Sequence, residues 1–137
     1  MSVQIDVAYE GDSQCSAVHA QSGQKLVTDM PAEVSGSKNR GFSSSDLVAV
    51  GLGSCLLTTM AMVAERKGAS LAGARAHVDK DLVLERPARI ARMAVRLSLP
   101  ASLKPELRAV LEQVAQHCLV KNSLAEAVKI EVKFEYA

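Results

Sequence analysis

The sequence predicts an α+β fold on a largely antiparallel sheet, with elements in the order βββ-α-ββ-α-(α)-β. Three observations carry this. Apolar and polar residues alternate near both ends, as in strands with one buried face. A long uncharged stretch lies between a helix start signal and a helix stop signal. Two alternating runs joined by a short loop follow it, ahead of a segment with helical spacing.

Val3, Ile5, Val7 and Tyr9 alternate with Gln4, Asp6 and Ala8, which is a strand period. Glu10-Gly11-Asp12-Ser13 reads as a turn, and a second strand is expected near Cys15–Ala20. Gln21-Ser22-Gly23-Gln24 then turns the chain into a third strand, Lys25–Thr28. From Asp29 to Ser43 the chain is polar and contains Pro31, Gly36 and Gly41. A connection this long is often a binding loop or lid.

The long helix is bracketed by caps. Ser43 followed by Asp46 is an N-cap pattern with an acid at N3, and Gly68 after Arg66 and Lys67 is a C-terminal signal. Between Leu47 and Ala64 there is no charge. A helix apolar all round is buried all round, and a domain of this size rarely encloses about six turns alone. A partner chain is therefore expected to cover one side. Gly51 and Gly53 inside the helix imply close approach of another backbone or a ligand.

Arg75–Leu84 and the run Ala91, Met93, Val95, Leu97 and Leu99 read as two strands joined by a hairpin loop, Glu85–Arg89. Ser102 is a candidate cap for a second helix, with Pro105 and Glu106 in its first turn. Leu107, Leu111, Val114 and Cys118 fall on one face of that helix. A short helical turn is expected after Asn122, and Val128–Tyr136 alternates as a closing strand.

Composition narrows the function classes. The 137 residues are one domain's worth, 48% apolar and 23% charged, so a single globular domain over 1–137 is expected. A net charge of +1, no Trp, two Tyr and two Phe leave little from which to build a nucleic-acid surface. No stretch is read as approaching the roughly 20 uncharged apolar residues of a membrane span. Met1–Asp6 shows no signal-peptide pattern, so the expected location is cytoplasmic, with no membrane partner. In a reducing compartment the three cysteines are thiols, not a disulfide framework.

Two of these thiols are the candidates to carry chemistry. Cys55 sits in the long helix beside Gly51, Thr58, Thr59 and Met62, mostly small or weakly polar residues that leave room for a pocket or a close helix contact. Its plain alternative is a small buried hydrophobe. Cys118 is expected to face the same core. Two inward-facing thiols on packed helices are able to bridge if their Cα atoms come within about 7 Å, and such cytosolic pairs are more often catalytic or redox-sensing than structural. Cys15, in the second strand, is assigned no role. His117 does not share a helix face with Cys118, and His19 and His77 read as ordinary side chains. No metal-ligand spacing is present, and Gly51-Leu52-Gly53-Ser54 lacks the phosphate-loop pattern.

Gly41-Phe42-Ser43-Ser44-Ser45-Asp46-Leu47, Leu52-Gly53-Ser54-Cys55 and His117-Cys118-Leu119-Val120-Lys121-Asn122-Ser123-Leu124 together resemble the OsmC/Ohr family, the osmotically inducible and organic-hydroperoxide-resistance proteins. Val128–Tyr136 is similar to that family's closing strand, so the resemblance covers nearly the whole chain. It implies an OsmC-like intertwined homodimer, with antiparallel sheets wrapping long central helices. It implies a thiol peroxidase in which Cys55 attacks an organic hydroperoxide and Cys118 resolves the sulfenic acid into a disulfide, which an external dithiol reduces. No cofactor or metal is implied. The helix N-terminus at Ser43 lies 12 residues, roughly 18 Å, from Cys55, too far for its dipole to act. No arginine precedes Arg40, so Arg40 is the local candidate to stabilise the thiolate. Two other roles stay open on the same fold: a redox-sensing or small-molecule-binding dimer without catalysis, and a purely structural dimerisation module.

Overall fold

The computed structural model describes residues 1–137, in the order β1 (Ile5–Gly11), β2 (Gln14–His19), β3 (Lys25–Thr28), α1 (Ser44–Arg66), β4 (Arg75–Val83), β5 (Arg89–Leu99), α2 (Pro105–Ala115), α3 (Leu119–Ser123) and β6 (Lys129–Tyr136). The element order matches the expectation, and the chain divides into two compact units, Met1–Val48 and Ala49–Ala137.

In the first unit β1, β2 and β3 form an antiparallel sheet in that order. Asp12 and Ser13, the two residues between β1 and β2, both have positive φ, as the tight primed hairpin turns require. The alternation of β1 does not translate into a buried face: Ile5, Val7 and Tyr9 are 63%, 67% and 71% exposed. The long polar connection is pinned by one carboxylate. Asp29 is buried, and it accepts from the backbone amides of Met30 (2.8 Å) and Arg40 (3.0 Å) and from the Arg40 Nε (2.9 Å) and Nη2 (2.9 Å). Arg40 also donates to the Asp12 carboxylate (2.8 Å) and carbonyl (2.7 Å), and Lys38 pairs with the same carboxylate. At the start of α1 the Ser43 hydroxyl accepts from the Asp46 amide (3.1 Å) while Asp46 accepts from the Ser43 amide (2.8 Å), a reciprocal cap as expected.

The second unit holds the rest of α1 and a sheet ordered β4-β5-β6. Its β4–β5 pair is antiparallel, but β5 and β6 run parallel, with Met93 opposite Ile130 and Leu97 opposite Phe134. The fold is largely antiparallel, as expected, with the β5–β6 pair the one parallel exception among the four strand pairs. The reason is the connection, since α2 and α3 form the crossover that parallel neighbours need. On β5 the alternation is realised in full: Met93, Val95, Leu97 and Leu99 are buried, and Arg96 and Ser98 face out. They share the core with Leu52, Leu56, Met60 and Ala64 of α1 and with Leu111 and Ala115 of α2. Arg92, at the centre of the outer face, bridges Asp81 on β4 (2.9 Å) and Glu131 on β6 (2.8 Å).

Helix α1 ends as the sequence indicates. Gly68 has φ +77°, its amide donates to Glu65 O, and the Ala69 amide donates to Ala64 O, the two bonds of a Schellman stop. The helix is long and apolar enough to cross a membrane by length and composition, which corrects the reading that no segment approaches a span. Only 33% of its most apolar window is buried within the chain. The Gly53 expectation holds: a Cβ there would meet Val78 Cγ2 at 3.2 Å and Ala76 Cβ at 3.4 Å, so β4 lies directly on the helix. At Gly51 a Cβ would meet nothing within 4 Å, so no close approach within the chain explains that glycine.

Two expectations around α2 are corrected. Ser102 is not its cap. Lys104 is the N-cap, extended at φ −66° and ψ 144°, because the residue before a proline is driven out of the helical region and Pro105 starts the helix. Helix α2 also stops at Ala115, three residues short of Cys118.

Candidate active site

The site is built from two elements of the second unit, the middle of α1 and the start of α3. Cys55 is half-buried on α1, one turn before Thr59, whose Oγ1 lies 3.9 Å from the Cys55 sulfur. Cys118 is fully buried, as expected, but it arrives there differently. It is the N-cap of α3, extended at φ −70° and ψ 146°, and its sulfur accepts from the Lys121 amide at 3.4 Å. The spacing of Leu107, Leu111, Val114 and Cys118 pointed correctly inward but concealed the break in the helix.

The two thiols influence each other and titrate in opposite directions. Burial opposes the Cys55 thiolate, but the Val120 amide, the Thr59 hydroxyl, the Cys118 thiol and the Leu119 amide all favour it, and the net effect lowers its pKa. For Cys118, burial dominates and raises the pKa; the Lys121 amide opposes this, and the neighbouring Cys55 adds to it. Both cysteines are free thiols. The arrangement thus holds a half-accessible thiol, pushed down in pKa by hydrogen bonds, beside an inaccessible one pushed up by burial. Sequence reasoning missed the stabilising amides of Leu119 and Val120, which act through the backbone at the start of α3.

Arg40 is tied into its own loop. Its side-chain bonds go to Asp29 and Asp12, which hold its own pKa above the usual value, and it holds the Asp29 carboxyl well below the ordinary range. The groups that favour the Cys55 thiolate are neutral dipoles instead. Cys15 lies in β2 opposite Tyr9 and Thr28 and is half-buried. His117 is exposed, with its carbonyl accepting from the Asn122 side chain. His19 bonds Ser22, and His77 faces Asp79. A cleft of about 570 Å³ between the end of α1 and the start of α2, lined by Lys67, Ser70, Leu103, Lys104 and Leu107 among others, includes neither Cys55 nor Cys118.

Solved structures share this fold. A candidate osmotic stress induced and detoxification response protein from Psychrobacter arcticus 273-4 is 28% identical, with a TM-score of 0.87 over 95% of this chain and 93% of that one. A protein from Legionella pneumophila named organic hydroperoxide resistance protein OsmC is 18% identical, with a TM-score of 0.75 over 98% and 97% of the two chains. The organic hydroperoxide resistance protein OhrB of Bacillus subtilis is 13% identical, with a TM-score of 0.71 over 98% of each. No curated protein sequence matches the chain. The profile of the OsmC-like proteins matches residues 35–133, a span that includes Cys55, Cys118 and the elements that hold them, and the chain therefore belongs to the OsmC-like protein family.

Proposed function

We propose that the chain is a two-cysteine peroxidase that reduces organic hydroperoxides. The observation that carries the reading is the placement of the two neighbouring free thiols, Cys55 half-accessible on α1 and Cys118 fully buried at the start of α3, and the opposite directions of their pKa shifts are consistent with it. The Cys55 thiolate attacks the terminal oxygen of the hydroperoxide. The S–O bond forms, the O–O bond breaks, and the alkoxide leaves and takes a proton from water. Cys55 is then a sulfenic acid. The Cys118 sulfur displaces the sulfenic oxygen, which departs as water with the thiol proton, and the Cys55–Cys118 disulfide forms. An external dithiol reduces that disulfide by two exchange steps and is itself oxidised. An alkyl tail is favoured over hydrogen peroxide where it meets apolar walls, by about 0.8 kcal/mol per buried CH₂.

The working unit in this reading is a homodimer in the cytoplasm. The uncovered side of α1, where Val50 and Met62 are 46% and 55% exposed, supports a second copy as its cover. The test follows thiols and peroxide together. One equivalent of an organic hydroperoxide is expected to remove two thiols per chain in the native protein. Cys118→Ala should accumulate a sulfenic acid that a dimedone probe traps. Hydroperoxide consumption by Cys55→Ala at the native rate overturns the proposal. A purely sensing dimer is distinguished by rate, because its thiols react no faster than a free thiol at the same pH.

A further inference from the structure

Thr58 and Thr59 are adjacent on α1, but their hydroxyls do different things. The Thr58 hydroxyl is spent on the helix backbone, donating to Ser54 O at 3.0 Å and to Cys55 O at 3.3 Å, and the residue is exposed. This back-bonding to the preceding turn is the ordinary fate of a threonine within a helix. Thr59 is half-buried, and its hydroxyl lies 3.9 Å from the Cys55 sulfur. Thr58 at i+3 and Thr59 at i+4 both border the Cys55 face, so what separates them is where each hydroxyl bonds and not the spacing. At i+4, Thr59 stands on the Cys55 side with its hydroxyl on the reacting atom.

We propose that Thr59 is a further catalytic residue, whose hydroxyl donates to the Cys55 sulfur and holds it as the attacking thiolate. A hydroxyl is both donor and acceptor, so Thr59 accepts from the neutral thiol and turns to donate once the proton has left. The charged acceptor makes that second bond the stronger one. The direction of the Cys55 shift is consistent with this, since the Thr59 hydroxyl is among the groups that lower it. Fixing one lone pair on Thr59 also sets where the others point, so the residue selects the line of approach to the sulfur. The other titratable group beside Cys55 is the Cys118 thiol, with Lys121 contributing to the field around Cys118.

The inference rests on Cys55 being the nucleophile, and the experiment separates the two claims. The reduced native chain is alkylated with iodoacetamide across pH, and the rate at Cys55 is read from the mass of the peptide that carries it. Hydroperoxide consumption is recorded in parallel. Thr59→Val is expected to move the Cys55 profile upward by roughly one unit, a ~10-fold loss of thiolate at neutral pH. Thr59→Ser is expected to restore it, and Thr58→Val to leave it unchanged. Should Thr59→Val fold poorly, Thr59→Ala carries the same expectation, with the Thr59→Ser rescue as its control. A Cys55 profile unmoved by loss of the Thr59 hydroxyl overturns the inference. So does an equal shift in Thr58→Val, or a failure of Ser to rescue. If the profile moves but no variant and no native protein consumes hydroperoxide, the peroxidase reading fails while the Thr59–Cys55 bond stands.

Discussion

At the scale of single residues, the groups around Cys55 act on it by hydrogen bonding more than by charge. Cys55 is acidified by two backbone amides, a hydroxyl and a thiol, whereas Arg40, the cation nearest in sequence on the N-terminal side, is bound to two carboxylates. Neutral dipoles at contact are not screened as ion pairs are. The Cys55 alkylation profile should therefore stay in place between about 0.1 and 1 M salt, over which the Debye length falls from about 10 to about 3 Å. A profile that moves by a unit would place a cation at the sulfur. Arg40→Gln should likewise leave the Cys55 profile unchanged. Its effect belongs to the loop. The folded-state pKa of Asp29 lies below its unfolded value, so the stability it contributes is present above the ordinary carboxyl value of about 3.9 and is lost as pH falls below it. The protection factors of the Met30 and Arg40 amides, both donors to Asp29, should fall as pH drops below the ordinary carboxyl value, and should already be lower at neutral pH in Arg40→Gln. The identities of Cys55 and Cys118 were legible in the sequence. Their neutral partners were not, because Leu119 and Val120 act through their backbones and their side chains carry no sign of it.

Elements show where periodicity is a sufficient guide. β5 could be read directly, since Met93, Val95, Leu97 and Leu99 have to share one face of a pleated strand, and all four are buried. Both ends of α1 were legible for the same local reason, as Ser43, Asp46 and Gly68 act through bonds spanning a few residues. Strand direction was not. Alternation is the same in parallel and antiparallel neighbours, so the β5–β6 pairing emerges only from the helical crossover between them. The break between α2 and α3 was hidden because inward spacing records where side chains point and not whether the helix is continuous. The two glycines of α1 give a test at this scale. Gly51→Ala meets open space and should stabilise the chain by up to about 1 kcal/mol, the helix-propensity difference. Gly53→Ala gains the same propensity but brings its Cβ to 3.2 Å from Val78 Cγ2, so the stiff valine has to give by a few tenths of an ångström, and overpacking typically costs about 1–3 kcal/mol. Urea titrations of the two variants should rank Gly53→Ala below Gly51→Ala, and the reverse order would mean that β4 yields freely.

For the molecule as a whole, the apolar surface left uncovered sets the expectation. Ile5, Val7 and Tyr9 on β1 and Val50 and Met62 on α1 lie on separate units, and all are largely exposed in the single chain. Burying each such side chain is worth about 1.5–3 kcal/mol, so the proposed homodimer has a substantial drive. Light scattering on a sizing column should give about twice the 14.6 kDa chain mass. Val50→Glu with Met62→Lys should shift the mass toward that of one chain. A native protein that elutes as one chain at micromolar concentration overturns the dimer. If the dimer does cover α1, Gly51 acquires a neighbour, and Gly51→Ala would weaken association even as it strengthens the helix.

Helix α1 leaves little freedom to change. One side packs in the core, one carries Cys55, the proposed nucleophile, and its hydroxyl neighbour Thr59, and one lies uncovered. From Leu47 to Ala64 it holds no charged residue that could drift without consequence. Deep mutational scanning should find its lowest tolerance along this rod, with acidic and basic replacements rejected on every side. Descendants of this sequence would thus find it hard to alter their chemistry without disturbing how they assemble.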